Sequence, residues 1–161
     1  LAEGQVQHLM IIDLDVHQGD ATASIFRDES RVFTLSVHCG SNFPLRKQQS
    51  DVDLALGDGL GDDAYLESIG DLIPTLLDQE QPDLVLYNAG VDPHREDRLG
   101  RLNLTDQGLL NRDRLVLDSC LRRNIPVATV IGGGYDALSP LVLRHGLVFR
   151  AASEQARLHG L

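Results

Sequence analysis

Four short segments of this chain place polar side chains directly after apolar runs. They are IIDLDVHQGD at 11–20, TLSVH at 34–38, NAGVD at 88–92 and IGGGYD at 131–136. Such apolar runs are typical of buried strands. In proteins built on a parallel sheet, ligands bind in the crevice outside the carboxyl ends of the strands. We therefore expect Asp15, His17, Asp92 and Tyr135 to meet at one site. The first three offer ligands for a catalytic divalent metal, and the Tyr135 phenol can donate to a developing oxyanion.

The first segment has Asp13, Asp15 and His17 at every second position. An extended backbone places such residues on one face, where two carboxylates repel each other unless a cation joins them. The alternative is a salt-bridged strand end, with Asp20 only capping the following helix. Acidic residues that interrupt so apolar a strand are costly without a partner, which favours the metal site.

The third segment supplies one more carboxylate, because Pro93 biases Asp92 toward an extended backbone. Gly-x-Asp-Pro is also a common exit from a strand into a loop, so a structural role for Asp92 stays open. Beside Asp15 and His17, it completes a set of three ligands. Carboxylate and imidazole ligands suit Zn²⁺, Fe²⁺, Mn²⁺ or Co²⁺, and the residues alone do not choose among them.

The glycine-rich IGGGYD segment lacks the spacing of the dinucleotide fingerprint and of the phosphate-binding loop with its lysine. We interpret it as a flexible turn that brings Tyr135 to the metal. Ser36 and His38 are interpreted as supports of the site, through a second cation or a loop backbone, and a plain structural role for His38 is the alternative. His94, on a charged loop, is expected to be solvated.

The wider pattern alternates strands and helices, which predicts an α/β fold with a mainly parallel sheet. We predict strands at 9–15, 31–37, 83–89 and 126–132 and helices at 20–28, 62–79, 105–123 and 139–158. Asp20, Asp62, Thr105 and Ser139 are the expected helix N-caps. Residues 39–61, rich in Gly, Ser and Asp, are predicted to form a long surface loop.

The chain has 161 residues, 42% of them hydrophobic, which suits one domain spanning 1–161. Its apolar runs are far shorter than the roughly 18 residues that a membrane helix needs. A net charge of −10 with 4% aromatic residues argues against nucleic acid as a partner. The charge favours either simple solubility or attraction of a cationic substrate. Cys39 and Cys120 are few and far apart, and no signal-peptide pattern precedes them, so we expect a cytoplasmic protein.

Taken together, DLDVHQGD, TLSVH, GVD and GGGY resemble the zinc-dependent histone deacetylase family, whose arginase-like fold is a three-layer α/β/α structure. NFPLRKQQSD, GDDAYL and GVDPHREDRLGRL look most like its class IV branch and bacterial members. The resemblance implies that Asp15, His17 and Asp92 bind zinc, with iron as a possible substitute. It also implies that Tyr135 polarises the acyl carbonyl of an acetylated lysine or acetylpolyamine, which a metal-activated water then hydrolyses.

Further positions match other parts of the family site. Asp13 and Ser36 match ligands of a structural potassium ion, and Asp13 and Asp20 match carboxylates that orient a pair of catalytic histidines. Leu99, Gly133 and Gly134 match the walls of the acyl-lysine tunnel.

The family's adjacent histidine pair, which supplies the general base, has no match, because this chain contains no two adjacent histidines. The resemblance therefore implies the C-terminal portion of a longer deacetylase core, with the N-terminal part of the fold missing. We expect it to bind metal without appreciable turnover until the N-terminal half joins it, and its uncovered apolar face favours a homo-oligomer. The alternative is a non-catalytic module that binds a metal or an acylated ligand.

Overall fold

The computed structural model describes Leu1 and residues 3–161 and is organised around a five-stranded, fully parallel sheet. The spatial order of the strands is β3-β2-β1-β4-β5. Along the chain, the elements are β1 Leu9–Asp13, α1 Asp20–Phe26, β2 Val32–Cys39, β3 Val52–Leu56, α2 Asp62–Gly70, α3 Leu72–Glu80, β4 Leu84–Gly90, α4 Asp106–Leu121, β5 Val127–Gly132 and α5 Leu138–Leu158. The alternation of strands and helices confirms the predicted α/β class.

The main core lies between one face of the sheet and helices α2, α3 and α4. Met10 and Ile12 of β1 point to this face because alternate residues of a strand share a side, and both are 0% exposed. They belong to one apolar cluster with Tyr65 of α2 and Val116 of α4. This packing fixes the central strands β1 and β4, whose carboxyl ends support the site.

The opposite face carries more polar side chains and is partly covered by α1. Ala23 and Arg27 of that helix line a cavity together with Thr34 of β2. Helices thus lie on both sides of the sheet, in agreement with the predicted architecture. Toward β5 the same face is open, with Val130 58% exposed and Leu86 of β4 also reaching the surface.

The prediction of an uninterrupted loop at 39–61 was wrong, because Val52–Leu56 forms the edge strand β3. It pairs in parallel with β2, with Ser36 opposite Asp53. Alternating apolar residues fit a half-buried edge strand, and pairing with β2 outweighed the neighbouring loop-forming residues. The predicted helix 62–79 is likewise divided into α2 and α3, and Pro74, which has no N–H to donate, lies in the first turn of α3.

Thr105 is the predicted N-cap that the structure confirms, since its Oγ1 accepts a hydrogen bond from the Gly108 N–H at 3.1 Å. Asp20, Asp62 and Ser139 were wrong as caps, because all three lie inside the first turn of their helices. A negative side chain is also favourable within the first turn, where it faces the positive end of the helix dipole. None of the helices among the described residues is long and apolar enough to cross a membrane.

Candidate metal centre

The site begins where β1 and β4 leave the sheet side by side. The two strands pair up to Asp13 and Asn88. The prediction that β1 extends to Asp15 was wrong, because side-chain hydrogen bonds turn the chain after Asp13. The Asp13 carboxylate accepts the Asp15 N–H at 3.1 Å, and the Asp15 carboxylate accepts the His17 N–H at 2.9 Å. Aspartate often stabilises turns in this way, and here the turn directs Asp15 and His17 toward β4.

A compact cluster of Asp15, His17 and Asp92 lies at the carboxyl ends of these two strands. One potential ligand atom from each lies within 4.8 Å of the other two. His17 Nδ1 is 3.0 Å from Asp15 Oδ1 and 3.1 Å from Asp92 Oδ2. Asp92 is 0% exposed, and its Oδ1 accepts the Val16 N–H at 2.8 Å. The structure therefore brings together the three residues singled out as metal ligands.

Two carboxylates share one imidazole in this cluster. Hydrogen bonds that the His17 ring donates to the Asp15 and Asp92 carboxylates raise the pKa of His17 to about 10, so the imidazolium balances the two negative charges. Burial raises the pKa of Asp92 to about 6, because a carboxylate charge is less stable away from water. If His17 lost its proton, a divalent metal would neutralise the two carboxylates in place of the imidazolium. Two carboxylates and one imidazole are a donor set that fits Zn²⁺ or Fe²⁺.

Asp13 and Ser36 lie next to each other beneath this cluster, as Cα partners in adjacent strands. Asp13 is 8% exposed, and burial raises its pKa to about 6. Its Oδ1 accepts a hydrogen bond from Asn88 Nδ2 at 2.8 Å. Ser36 Oγ lies 3.0 Å from His38 Nδ1. Asp20 opens α1 beyond Gly19, and a Cβ at Gly19 would clash with the Asp13 carboxylate.

The glycine turn after β5 packs directly on the cluster. Gly133 has φ +59, and a Cβ there would lie 2.5 Å from the Asp92 carboxyl carbon and 2.7 Å from Asp15 Oδ2. Gly134 has φ +98. Both residues adopt the left-handed backbone that glycine tolerates best. The turn thus closes over Asp15 and Asp92 with no side chain between them.

This turn also presents Tyr135 to the cluster. The Tyr135 ring meets the His17 ring edge-on, with centroids 5.7 Å apart, and 46% of the residue is exposed. Burial, together with the negative charges of Asp15, Asp92 and Asp97, raises the pKa of the phenol. The hydroxyl therefore keeps its proton and can donate a hydrogen bond to a ligand in the open site.

Asp97 is the main residue that sequence reasoning missed. Its Oδ2 accepts the Tyr135 N–H at 2.7 Å, while its Oδ1 accepts the N–H groups of Leu99 at 2.9 Å and Gly100 at 2.8 Å. Asp97 therefore joins the glycine turn to its own loop after β4, the rim loop at 93–103. This loop carries Leu99, which is 53% exposed. The Leu99 carbonyl in turn accepts a hydrogen bond from Asn42 Nδ2 at 2.7 Å. Asp97 lies in a charged run, so its type alone did not distinguish it from a solvated side chain.

His94 was expected to be solvated, and this was wrong. It is 3% exposed, because the loop after Asp92 folds back and pairs with Leu104. Its Nε2 lies 3.3 Å from the Asp106 carboxylate. The charged residues on either side of His94 hid a buried position.

Comparisons with known proteins agree on one family. The model of the histone deacetylase domain matches residues 1–143. The chain is 55% identical over 152 residues to an uncharacterized protein of Picosynechococcus sp., covering 94% of this chain and 51% of that protein. It is 31% identical over 142 residues to histone deacetylase 2 of Arabidopsis thaliana, covering 86% of this chain and 37% of that protein. The chain thus spans about half, or less, of the length of these relatives.

Solved structures show the same fold. An acetylpolyamine aminohydrolase from Burkholderia pseudomallei superposes with a TM-score of 0.80 at 20% identity, covering 95% of this chain and 47% of that one. The HDA15 HD domain superposes with a TM-score of 0.72 at 22% identity, covering 95% of this chain and 46% of that one.

Proposed function

Because the chain belongs to the histone deacetylase family, we propose that it supplies the metal-binding part of a zinc-dependent deacetylase that hydrolyses amides. One observation carries the proposal: Asp15, His17 and Asp92 converge within 4.8 Å at the carboxyl ends of β1 and β4. This edge of a parallel sheet is where ligands of open α/β folds bind. The alternative, a non-catalytic metal or ligand-binding module, would share the cluster but not the hydrolysis.

Asp15 and His17 would hold the metal together with one further carboxylate. Asp92 is the nearest, since its Oδ2 already contacts His17 Nδ1 at 3.1 Å. Asp97 is a second candidate, because it is only half-buried and lies beside the Tyr135 turn, whereas Asp92 is fully buried. Substituting each carboxylate separately distinguishes the two.

When bound, the metal would act as a Lewis acid toward the acyl carbonyl and the attacking water. The chain's own contribution is position and hydrogen bonding. The Tyr135 hydroxyl donates to the carbonyl oxygen as it becomes an oxyanion, and the backbone bond to Asp97 fixes the start of the turn that carries it. Asp13 and Asp20 would orient the catalytic histidines, which other residues of the complete domain must provide.

We assign Asp13 and Ser36 to a structural potassium ion. Support comes from their pairing in adjacent strands and from the burial of the Asp13 carboxyl, a group for which a nearby cation would offset the loss of water. Such an ion would lie beneath the turn of Asp15 and His17 and hold it in place.

The proposed substrates are acetylated lysine or an acetylated polyamine. Leu99, Gly133 and Gly134 would line the path of the acyl group, since Gly133 packs on the metal cluster and Leu99 lies at its exposed rim. A net charge of −10 would attract a cationic acetylpolyamine as well as keep the protein soluble, and one structural neighbour is an acetylpolyamine aminohydrolase.

The missing half of the core is the proposed partner of the open sheet face. Val130 is 58% exposed and Leu86 36% exposed on that face, and Phe149 and Val142 of α5 are also exposed. The Picosynechococcus relative is about twice as long as this chain, so its remaining residues are sufficient to cover this face. We propose that this covering half supplies the general base, and that without it the same face favours self-association.

The test is deacetylation of an acetyl-lysine peptide and of an acetylpolyamine by a protein that contains the whole deacetylase domain. Zinc-loaded protein should hydrolyse at least one of them. Asp15→Asn should abolish the activity, and Asp28→Asn, which changes an exposed aspartate, should leave it unchanged. Zinc binding without hydrolysis of any acylated amine would favour the non-catalytic module, and hydrolysis by Asp15→Asn at the wild-type rate would contradict the proposal.

A further inference from the structure

Helix α4 carries a fully buried arginine whose charge is compensated inside the core. Arg112 is 0% exposed, and its Nε and Nη2 donate to the neighbouring Asp113 carboxylate at 3.0 and 2.9 Å. Burying a charged group is costly unless it is paired and hydrogen-bonded. The ion pair meets this requirement and leaves the third nitrogen, Nη1, for other contacts.

Arg112 Nη1 reaches the two strands that end at the metal cluster. It donates to the Gly90 carbonyl at 2.7 Å and to the Leu14 carbonyl at 3.2 Å. Leu14 directly precedes Asp15, and Gly90 lies two residues before Asp92. One nitrogen therefore joins the ends of β1 and β4 just before each strand delivers a carboxylate.

The same two strand ends are unusually close. A Cβ at Gly90 would lie 2.7 Å from Asp15 Oδ2 and 2.8 Å from Asp15 Cα. These distances are too short for a Cβ atom, so only glycine fits here. The ion pair is itself attached to β4, because the Tyr87 hydroxyl donates to Asp113 Oδ1 at 2.6 Å. Arg112 is thus held rigidly at the point where Asp15 and the β4 end approach each other.

We propose that Arg112 is a positioning residue that sets the separation of Asp15 and Asp92. Through this separation it would determine the affinity and the geometry of the metal site. The inference rests on the proposed function, because it assigns Arg112 a role toward that metal. Asp113 neutralises the guanidinium, so the charge of Arg112 does not oppose a metal cation nearby. A purely structural residue would instead affect folding and leave the bound metal unchanged.

The test compares Arg112→Met and Arg112→Lys with two control variants of the same helix. Leu109→Ala and Val116→Ala remove buried apolar groups. They show how zinc binding responds when the melting midpoint falls for reasons unrelated to Arg112. For each protein we would measure zinc affinity by competition with a chromophoric chelator, and the visible absorption of the Co²⁺-loaded form. The Co²⁺ spectrum reports coordination geometry and does not depend on catalytic turnover.

We expect Arg112→Met to weaken zinc binding about 10–100-fold and to alter the Co²⁺ spectrum. Arg112→Lys, whose ammonium can still reach a carbonyl, should fall between it and the wild type. The controls should keep the zinc affinity of the wild type and leave the Co²⁺ spectrum unchanged.

Equal zinc affinities and spectra in the Arg112 variants and in controls of the same melting midpoint would overturn the inference while leaving the proposed function intact. If Arg112→Met does not fold, the spectrum of Arg112→Lys decides in the same way. Failure of the wild type to bind zinc or Co²⁺ would overturn the proposed function as well.

Discussion

The backbone N–H of Tyr135 donates to the Asp97 carboxylate at 2.7 Å, across 38 positions of sequence. This bond ties the glycine turn after β5 to the rim loop after β4. It places a phenol that keeps its proton at the open side of the Asp15, His17 and Asp92 cluster. The position of Tyr135 therefore depends on a residue outside the motif that contains it.

The two candidate third ligands can be separated by substitution. We expect Asp92→Asn and Asp97→Asn to weaken zinc binding unequally, by at least about 10-fold, because only one of them loses a direct bond to zinc. Loss of a residue that merely orients a ligand costs about 10–100-fold in metal affinity. Zinc competition titrations of both variants decide between them. If both variants bind zinc as tightly as the wild type, neither carboxylate is a ligand.

Tyr135→Phe removes the proposed oxyanion donor without changing a metal ligand. In the complete deacetylase domain we expect kcat to fall about 10²–10³-fold, the usual loss for one such donor. Zinc affinity should stay at the wild-type level. A variant that keeps full kcat would exclude Tyr135 from the reaction.

Gly133→Ala should damage the fold and the site together. Alanine at φ +59 is strained, and its Cβ would lie 2.5 Å from the Asp92 carboxyl carbon, so we expect a loss of about 1–3 kcal/mol in the free energy of unfolding. Zinc affinity should fall with it. The control is Gly146→Ala in the exposed part of α5, where a Cβ meets nothing within 4 Å and helix propensity predicts a gain of up to about 1 kcal/mol. Urea unfolding measures the free energy of unfolding of both variants. An equal change in Gly133→Ala and Gly146→Ala would show that the Gly133 backbone and its close contacts are not constrained.

His38 should make stability fall in acid. Burial lowers its pKa, so the unfolded chain takes up a proton near pH 6.5 while the folded chain resists it. Stability from this group is complete above about pH 6.5 and is lost below it, by at most about 1.4 kcal/mol per pH unit. The raised pKa of Asp13, about 6, acts in the opposite direction.

The comparison must therefore be made with His38→Gln, which keeps Asp13. The free energy of unfolding of wild type minus that of the variant should decrease from pH 7 to pH 5. A constant difference over this range would show that His38 does not resist protonation in the fold.

The sequence predicted the convergence of Asp15, His17, Asp92 and Tyr135 because each follows an apolar strand, and parallel strands end at one edge. It did not predict β3, since Val52–Leu56 becomes a strand only by pairing with β2. Asp97 and Arg112 were also missed. Their importance comes from bonds to Tyr135, Leu14 and Gly90 that are distant in sequence.

Zinc stoichiometry combined with X-ray absorption at the zinc edge, for the wild type and for His17→Ala, tests the metal site directly. We predict one zinc per wild-type chain, with nitrogen and oxygen ligands at about 2.0–2.2 Å that include an imidazole. His17→Ala should lose the imidazole signal and bind zinc far more weakly. A wild type that binds no stoichiometric zinc, or a variant with an unchanged spectrum, would contradict this prediction.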